Sequence, residues 1–581
     1  MLDLIRKLRH LLTPREQRHA LVLLGLMTGG AALEMLGVGA IPAFVALLTD
    51  PTSIQRVPLA AQAAAALGFD TTEALILAGA VVLFTLFLLK NAYLAGLSWL
   101  QARYVFGRQV HLARRLLHRY LYSPYPFHLQ RNTAELLRNA NTDAMEVVGS
   151  ALMPLILLVM DGLTVGAVLL LLFWVEPVTS VVAFLILGGA SAIFLRLLRR
   201  KTFHHGQEMH KARLEMIQIV NEGLGGIKVT KVLGRERTFL DAFSRASDRY
   251  AHAGRVRQLL QETPRLLLET VGIAGLLGVA ALLLVQGRAL SALVPTLALL
   301  AVAVVRMIPS FNRVTVALNG LRFGRAAIDA VYRDLLEIAP GSDETPAPLP
   351  FRAHIRLEGV TFQYPTAVEP VLRDVSLTIR KGAAVGFVGR TGAGKTTLVD
   401  VVLGLLAPTA GRVLIDGVEL RGRERAWQRQ VGYVPQDVYL SDDSIRRNVA
   451  FGLPDEAIDE AAVWRAVEAA QAQEFIERLP HGLDTVVGER GVRLSGGQRQ
   501  RIGIARALYH GPEVLVLDEA TSALDHETER AVMEAIEHLR GSHTLLIIAH
   551  RRTTVAACDL LVHLQGGAIV EVEAHAESPA A

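Results

Sequence analysis

The chain has 581 residues, too many for one ordinary domain, and 51% of them are hydrophobic. That fraction, with a mean hydropathy of +0.35, excludes a wholly water-soluble protein. The net charge of +5 does not call for nucleic acid, because the basic residues concentrate between the apolar runs, where they orient a membrane protein. A single cysteine, Cys558, excludes an internal disulfide and fits a large mass facing a reducing compartment.

The N-terminal "MLDLIRKLRHLLTPREQRH" alternates basic and apolar residues at helical spacing, which predicts an interfacial helix lying on the membrane, with a frayed tail as the competing reading. Apolar stretches at 20–48, 73–100, 147–175, 177–198, 264–286 and 289–315 are each long enough to cross a hydrocarbon core of about 30 Å. Spans three and four are separated only by "VEP", and five and six by "QGRALS", so both pairs are tight hairpins. The two long intervening segments carry Arg103, Arg108, Arg114, Arg115, Arg199, Arg200, Lys201, Lys228 and Lys231, and the positive-inside tendency makes them cytoplasmic. Between spans one and two, "VPLAAQAAAALG" predicts an external helix at about 53–68 on the outer membrane surface. The transmembrane domain is therefore 1–336.

At 337–354 the composition turns to Pro, Gly and acidic residues, marking a linker. From 355 to 575 short β-rich runs alternate with amphipathic helical runs, predicting an α/β domain followed by a tail at 576–581. Its "GRTGAGKTT" follows the apolar "AVGFVG" and precedes a helical run, the context of a phosphate-binding loop. Gly389, Gly392 and Gly394 let backbone amides wrap a nucleotide's phosphates, together with Arg390, Thr391, Ala393 and Thr397. Lys395 reaches the β and γ phosphates of ATP and Thr396 ligates Mg²⁺. In "EVLVLDEATSALD" a buried strand ends in two carboxylates. Asp518 is expected to hold Mg²⁺, and Glu519 to orient and deprotonate the attacking water. Upstream, the glycine pair of "LSGGQRQR" exposes amides at a helix start, a second anion site that one nucleotide can use only if another copy of the domain faces it.

The order of "GRTGAGKT", Gln436 in "YVPQD", "LSGGQ", "VLVLDE", "SALD" and His550 in "IIAHR" resembles the ATP-binding cassette of ABC transporters. Six spans ahead of the cassette make nearly the whole chain resemble an exporter-type half-transporter. The fold class implied is an α-helical six-span exporter-type transmembrane domain followed by an α/β P-loop ABC nucleotide-binding domain. By the resemblance Tyr364 stacks on adenine, Gln436 joins the Mg²⁺ site and couples the nucleotide to the membrane domain, and His550 contacts the γ-phosphate. Ser495, Gly497 and Gln498 act on the ATP held by the partner of a homodimer, and Asp525 belongs to the nucleotide site. The segments at about 120–140 and 220–234 would be coupling helices that dock on the cassettes. A bacterial inner membrane, with N-terminus and cassette cytoplasmic, follows from the same likeness.

Cargo must be argued from the membrane domain. Glu34, Lys90, Asp161, Arg265, Glu269, Arg306 and Arg313 lie within or at the edges of spans, where each is costly unless it forms an interhelical pair such as Glu34 with Lys90, snorkels or lines a wet cavity. Arg306 and Arg313 are seven apart, on one helical face with Ser310 between them. With Arg265 they would form a basic stripe for a phosphate or pyrophosphate, while snorkelling to headgroups is the competing reading. "PRLLLE", "VVRMIPSFNRV", Glu34 and the external helix look like the PglK type of flippase. That implies a polyprenyl-pyrophosphate glycan as cargo, contacting membrane lipids as it moves. The alternative is an exporter of lipid A-type lipids or amphipathic drugs.

Overall fold

The computed structural model describes residues 2–49, 62, 71–175, 177–285, 290–338, 346–365, 367–520, 526–549, 555 and 558–574. The contacts divide the chain into two compact units, Met1–Ser123 with Arg131–Gly341, and Pro124–Gln130 with Ser342–Ala581. The boundary at Gly341 falls inside the expected linker, part of which lies outside the described residues.

The first unit is helical. Its main helices are α1 (Leu2–Leu11), α2 (Pro14–Thr49) and α3 (Thr72–Leu121). They are followed by α5 (Met153–Val175), α6 (Pro177–Gly225), α7 (Ile227–Val232), α8 (Glu236–Val285), α9 (Leu290–Phe323) and α10 (Arg325–Glu337). Four helical stretches among the described residues, Pro14–Thr49, Thr72–Leu121, Glu135–Trp174 and Leu297–Leu321, are long and apolar enough to cross a membrane. The other two expected spans fall in α6 and α8, each a single helix of about fifty residues. On α3, Leu77, Val81, Phe84 and Leu88 recur every three to four residues and are exposed, the pattern of a face turned to lipid. The opposite faces pack inward: Val38, Val168, Leu172, Leu299, Ala303 and Met307 join α2, α5 and α9 in one buried cluster. Apart from Gln62, the expected external helix at 53–68 lies outside the described residues.

The N-terminal helix forms as expected, yet it is anchored rather than free. Leu8 and Leu11 are buried, and Lys7 Nζ donates to Asp329 Oδ1 on α10 at 2.7 Å. Helix α7 lies within the expected second coupling segment. Thr230 is buried and its hydroxyl donates to the carbonyls of Gly223 and Gly226, closing the turn from α6, while Val229, Val232 and Leu233 stand exposed. The first coupling segment contains α4 (Tyr125–Gln130), whose contacts group it with the second unit.

The rest of the second unit holds two sheets. A four-stranded antiparallel sheet runs β2 (Leu372–Arg380), β1 (His354–Phe362), β4 (Ala410–Ile415), β5 (Val418–Glu419). A six-stranded sheet has the order β10-β9-β3-β8-β7-β6, built from β3 (Ala384–Val388), β6 (Val431–Val434), β7 (Val514–Asp518), β8 (Thr544–Ile548), β9 (Leu560–Gln565) and β10 (Ala568–Ala574). All its pairings are parallel except β9 with β10. The central strands are mostly apolar and β7 and β8 are wholly buried, as parallel strands covered on both faces require.

Candidate functional site

The register of the larger sheet assembles the site. Phe387 of β3 and Asp518 of β7 both pair with Ile548 of the strand between them, so the loop after β3 and the acids after β7 leave at one level, the carboxyl ends where α/β sheets bind ligands. From β3 the chain enters the glycine loop and then helix α11 (Lys395–Val402). Glycine is required at Gly389, where a Cβ would come within 2.4 Å of the Leu564 carbonyl oxygen, and at Gly394, which caps α11 with φ of 99°. Lys395 is buried and its ammonium donates to the carbonyls of Gly389 (2.9 Å) and Arg390 (3.3 Å), folding back over the loop that is to take phosphate. Thr391, Gly392 and Thr396 are exposed, and Ala393 is buried. Tyr364, just past β1, sets its hydroxyl 3.2 Å from Thr397 Oγ1 and packs edge-on to Phe362, which ties the expected adenine-stacking ring to the phosphate loop.

Each of the two acids accepts a hydrogen bond from a neutral side chain. Asp518 is buried, and Tyr433 Oη on β6 donates to its Oδ2 at 3.4 Å. Burial, reinforced by the neighbouring Glu519, raises the Asp518 carboxyl above its ordinary range, so a cation there would relieve it. Glu519 accepts from Gln436 Nε2 at 2.9 Å. Its φ is 48°, a left-handed conformation that costs a non-glycine residue about 1–3 kcal/mol, and its N–H donates to the Ile548 carbonyl. Thr396, Asp518 and Gln436 are oxygen donors of the hard kind that suits Mg²⁺. Two residues unforeseen in the sequence complete the setting: Tyr433, and Asp400 on α11, whose carboxyl is pushed up to about 6 by burial and then by Asp518.

Ser495 caps helix α12 (Gly496–Leu508) in a reciprocal box: its hydroxyl accepts from the Gln498 N–H at 3.3 Å while the Gln498 side-chain Oε1 accepts from the Ser495 N–H at 2.9 Å. Gly497 is buried in the first turn. The helix start is thus rigid and its first amides are free of side-chain bulk. Asp525 and His550 lie outside the described residues. Cys558 is buried and its thiol is pushed up to about 12 by burial, which leaves no reactive thiolate.

The family model described as ABC transporter matches residues 372–522, and that described as ABC transporter transmembrane region matches 63–285. An ATP-dependent lipid A-core flippase of Alkalilimnicola ehrlichii is 34% identical over 81% of this chain and 80% of its own length. One of Cupriavidus metallidurans is 35% identical over the same shares. The chain belongs to the ABC transporters. A solved structure of a bacterial Atm1-family ABC exporter with ATP bound shares the fold, with a TM-score of 0.75 and 24% identity, and covers 96% of this chain and 95% of that one. The protein is an exporter-type half-transporter that couples ATP hydrolysis to transport.

In the membrane unit of this half-transporter the expected basic stripe takes a different form. Arg306 is ion-paired with Glu34, which also holds Lys90 Nζ at 3.4 Å. Arg313 clamps Asp161 through Nε (3.0 and 2.9 Å) and through one terminal nitrogen (2.6 Å), and reaches the Ser310 hydroxyl. Arg306 lines a cavity of about 530 Å³, and neither Arg313 nor Arg265 is among its lining residues. Arg265 is exposed on α8. The three arginines are not assembled into one site.

Proposed function

We propose that the protein is an ATP-driven flippase, acting as a homodimer in the bacterial inner membrane, that carries a phosphorylated glycolipid of lipid A type from the cytoplasmic to the periplasmic leaflet. The observation that carries this reading is the likeness to lipid A-core flippases at 34–35% identity across four-fifths of both chains. Of the two lipid cargoes weighed from the sequence, it favours lipid A over the polyprenyl-pyrophosphate glycan. The cavity beside Arg306 and Lys90 supports an anionic headgroup.

In the proposed cycle the amides of 389–397 and Lys395 hold the phosphates of ATP, and Tyr364 stacks on adenine. Thr396, Asp518 and Gln436 would hold Mg²⁺, which neutralises phosphate charge. Glu519, oriented by Gln436, takes the proton of the attacking water. His550 contacts the γ-phosphate, and Asp525 completes the site. The capped start at Ser495, with Gly497 and Gln498, closes on the nucleotide of the second copy. The exposed Val229, Val232 and Leu233 around α7 offer the apolar surface by which the membrane unit docks on a cassette, with α4 as the other coupling helix.

The test is ATPase activity in nanodiscs of phosphatidylcholine supplemented with lipid A, a polyprenyl-pyrophosphate glycan or a cationic drug. Stimulation by lipid A at the lowest mole fraction is expected. Stimulation by the polyprenyl glycan alone would replace this cargo with the other, and stimulation by the drug alone would remove both.

A further inference from the structure

The cavity of α2, α3 and α9 has an unusual charge arrangement. Glu34 is sealed off at 1% exposure and Lys90 at 6%, whereas the Arg306 side chain is 40% exposed and lines the open space. One carboxylate thus serves two cations, and one positive charge remains in excess on the cavity wall. The local sequence builds this deliberately. Three residues after Glu34 stands Gly37, where a Cβ would press on the Lys90 stem at 3.2 Å, so glycine makes room for the lysine to reach the acid. Lys90 Nζ also lies 4.4 Å from the centre of the Phe87 ring. Arg306 Nε is buried without a hydrogen-bond partner among the described residues, so Glu34 does not satisfy the whole guanidinium. A third cation, Arg313, is already neutralised by Asp161.

Resting on the reading of the cargo as a phosphorylated lipid, we propose that Glu34 is a resident counter-ion standing where the cargo's phosphate is to bind. In the empty cavity its carboxylate keeps Arg306 and Lys90 from being unpaired at low dielectric. An incoming lipid phosphate takes over the cavity-facing guanidinium, with the excess positive charge accommodating the added anion while Glu34 stays on Lys90. When the phosphate leaves, Glu34 takes Arg306 back. Glu34 therefore sets a threshold for binding and assists release.

The experiment uses the full-length protein in phosphatidylcholine nanodiscs and reads the lipid A mole fraction at half-maximal ATPase stimulation. Glu34→Gln is expected to lower that fraction about tenfold, equivalent to about 1.4 kcal/mol, and Arg306→Gln to raise it. In the Arg306→Gln background, Glu34→Gln frees only the buried Lys90 and is expected to lower it by less than in the wild type. An unchanged or raised half-maximum in Glu34→Gln would overturn the proposal. If that variant fails to fold, Lys90→Met reads the same balance, since loss of the excess charge must raise the half-maximum; an unchanged value would overturn it equally. A wild-type protein that lipid A does not stimulate at all would instead defeat the cargo reading. Inorganic pyrophosphate is expected to give no stimulation, and stimulation by it would show a soluble phosphate as the ligand and overturn the lipid assignment.

Discussion

The cassette and the membrane unit treat buried carboxylates in opposite ways. At the end of β7, Asp518 and Glu519 accept hydrogen bonds from neutral groups, Tyr433 and Gln436, and Lys395 acts on Asp518 only as a more distant charge. In the membrane unit Glu34 and Asp161 are met by Arg306, Lys90 and Arg313. The difference follows from solvent. An acid of the cassette is held by neutral hydrogen-bond donors with its cation farther off, whereas an acid among lipid-facing helices must bring its cation with it. The cassette holds its acids by neutral hydrogen bonds, and the membrane unit holds its acids by ion pairs.

The comparison breaks first at Glu519. Glu519→Gln keeps an acceptor for Gln436 but removes the base, and ATP turnover should fall by about 100-fold or more while ATP binding persists with the dimer closed. Rapid turnover measured by phosphate release would remove Glu519 from that role. Next in size, Arg313→Ala strands the buried Asp161 and should lower stability by about 2–3 kcal/mol, discounted because the guanidinium is half exposed. Adding Asp161→Asn should recover most of that loss in thermal melts; no recovery would mean the pair is not what the arginine supplies.

Asp400 carries a pH signature. Its folded carboxyl titrates near 6, above the ordinary 3.8, so above pH 6 the folded state holds a buried anion that the unfolded chain exposes to water. Between about 6 and 4 the folded state takes up the proton first, and the penalty fades as pH falls. Asp400→Asn should therefore stabilise the nucleotide-free, Mg²⁺-free protein at pH 8 by about 1–2 kcal/mol, with the gain shrinking toward pH 4. A pH-independent gain would contradict the assignment. Smallest is Tyr433→Phe, which removes one long hydrogen bond to Asp518 and should raise the Mg²⁺ concentration for half-maximal ATPase about 2–5-fold.

The cassette was readable because its chemistry is local: "GRTGAGKTT", "LSGGQ" and "VLVLDE" each carry a loop and its groups within a few residues. Tyr433 escaped notice because its role depends on β6 pairing beside β7, although the strand alternation that turns it outward was a usable signal. Asp400, the lone acid in the apolar run "TTLVDVVLGLL", carried a clearer one. In the membrane unit the ionisable residues stood out as anomalies, and the Glu34 to Lys90 pair was anticipated. The partners of Arg306 and Arg313 were not, since Arg313 and Asp161 lie 152 positions apart and only helix packing joins them. Seven-residue spacing put two arginines on one helical face, but their charge was spent on different neighbours.

The most direct measurement of the central claim is ATP-dependent movement of fluorescent lipid A across proteoliposomes, followed by quenching in the outer leaflet. The account predicts translocation in the wild type and none in Glu519→Gln, with Arg306→Gln slowed at low lipid fractions. Translocation that continues in Glu519→Gln, or lipid A that stays in its leaflet while ATP is consumed, would contradict it.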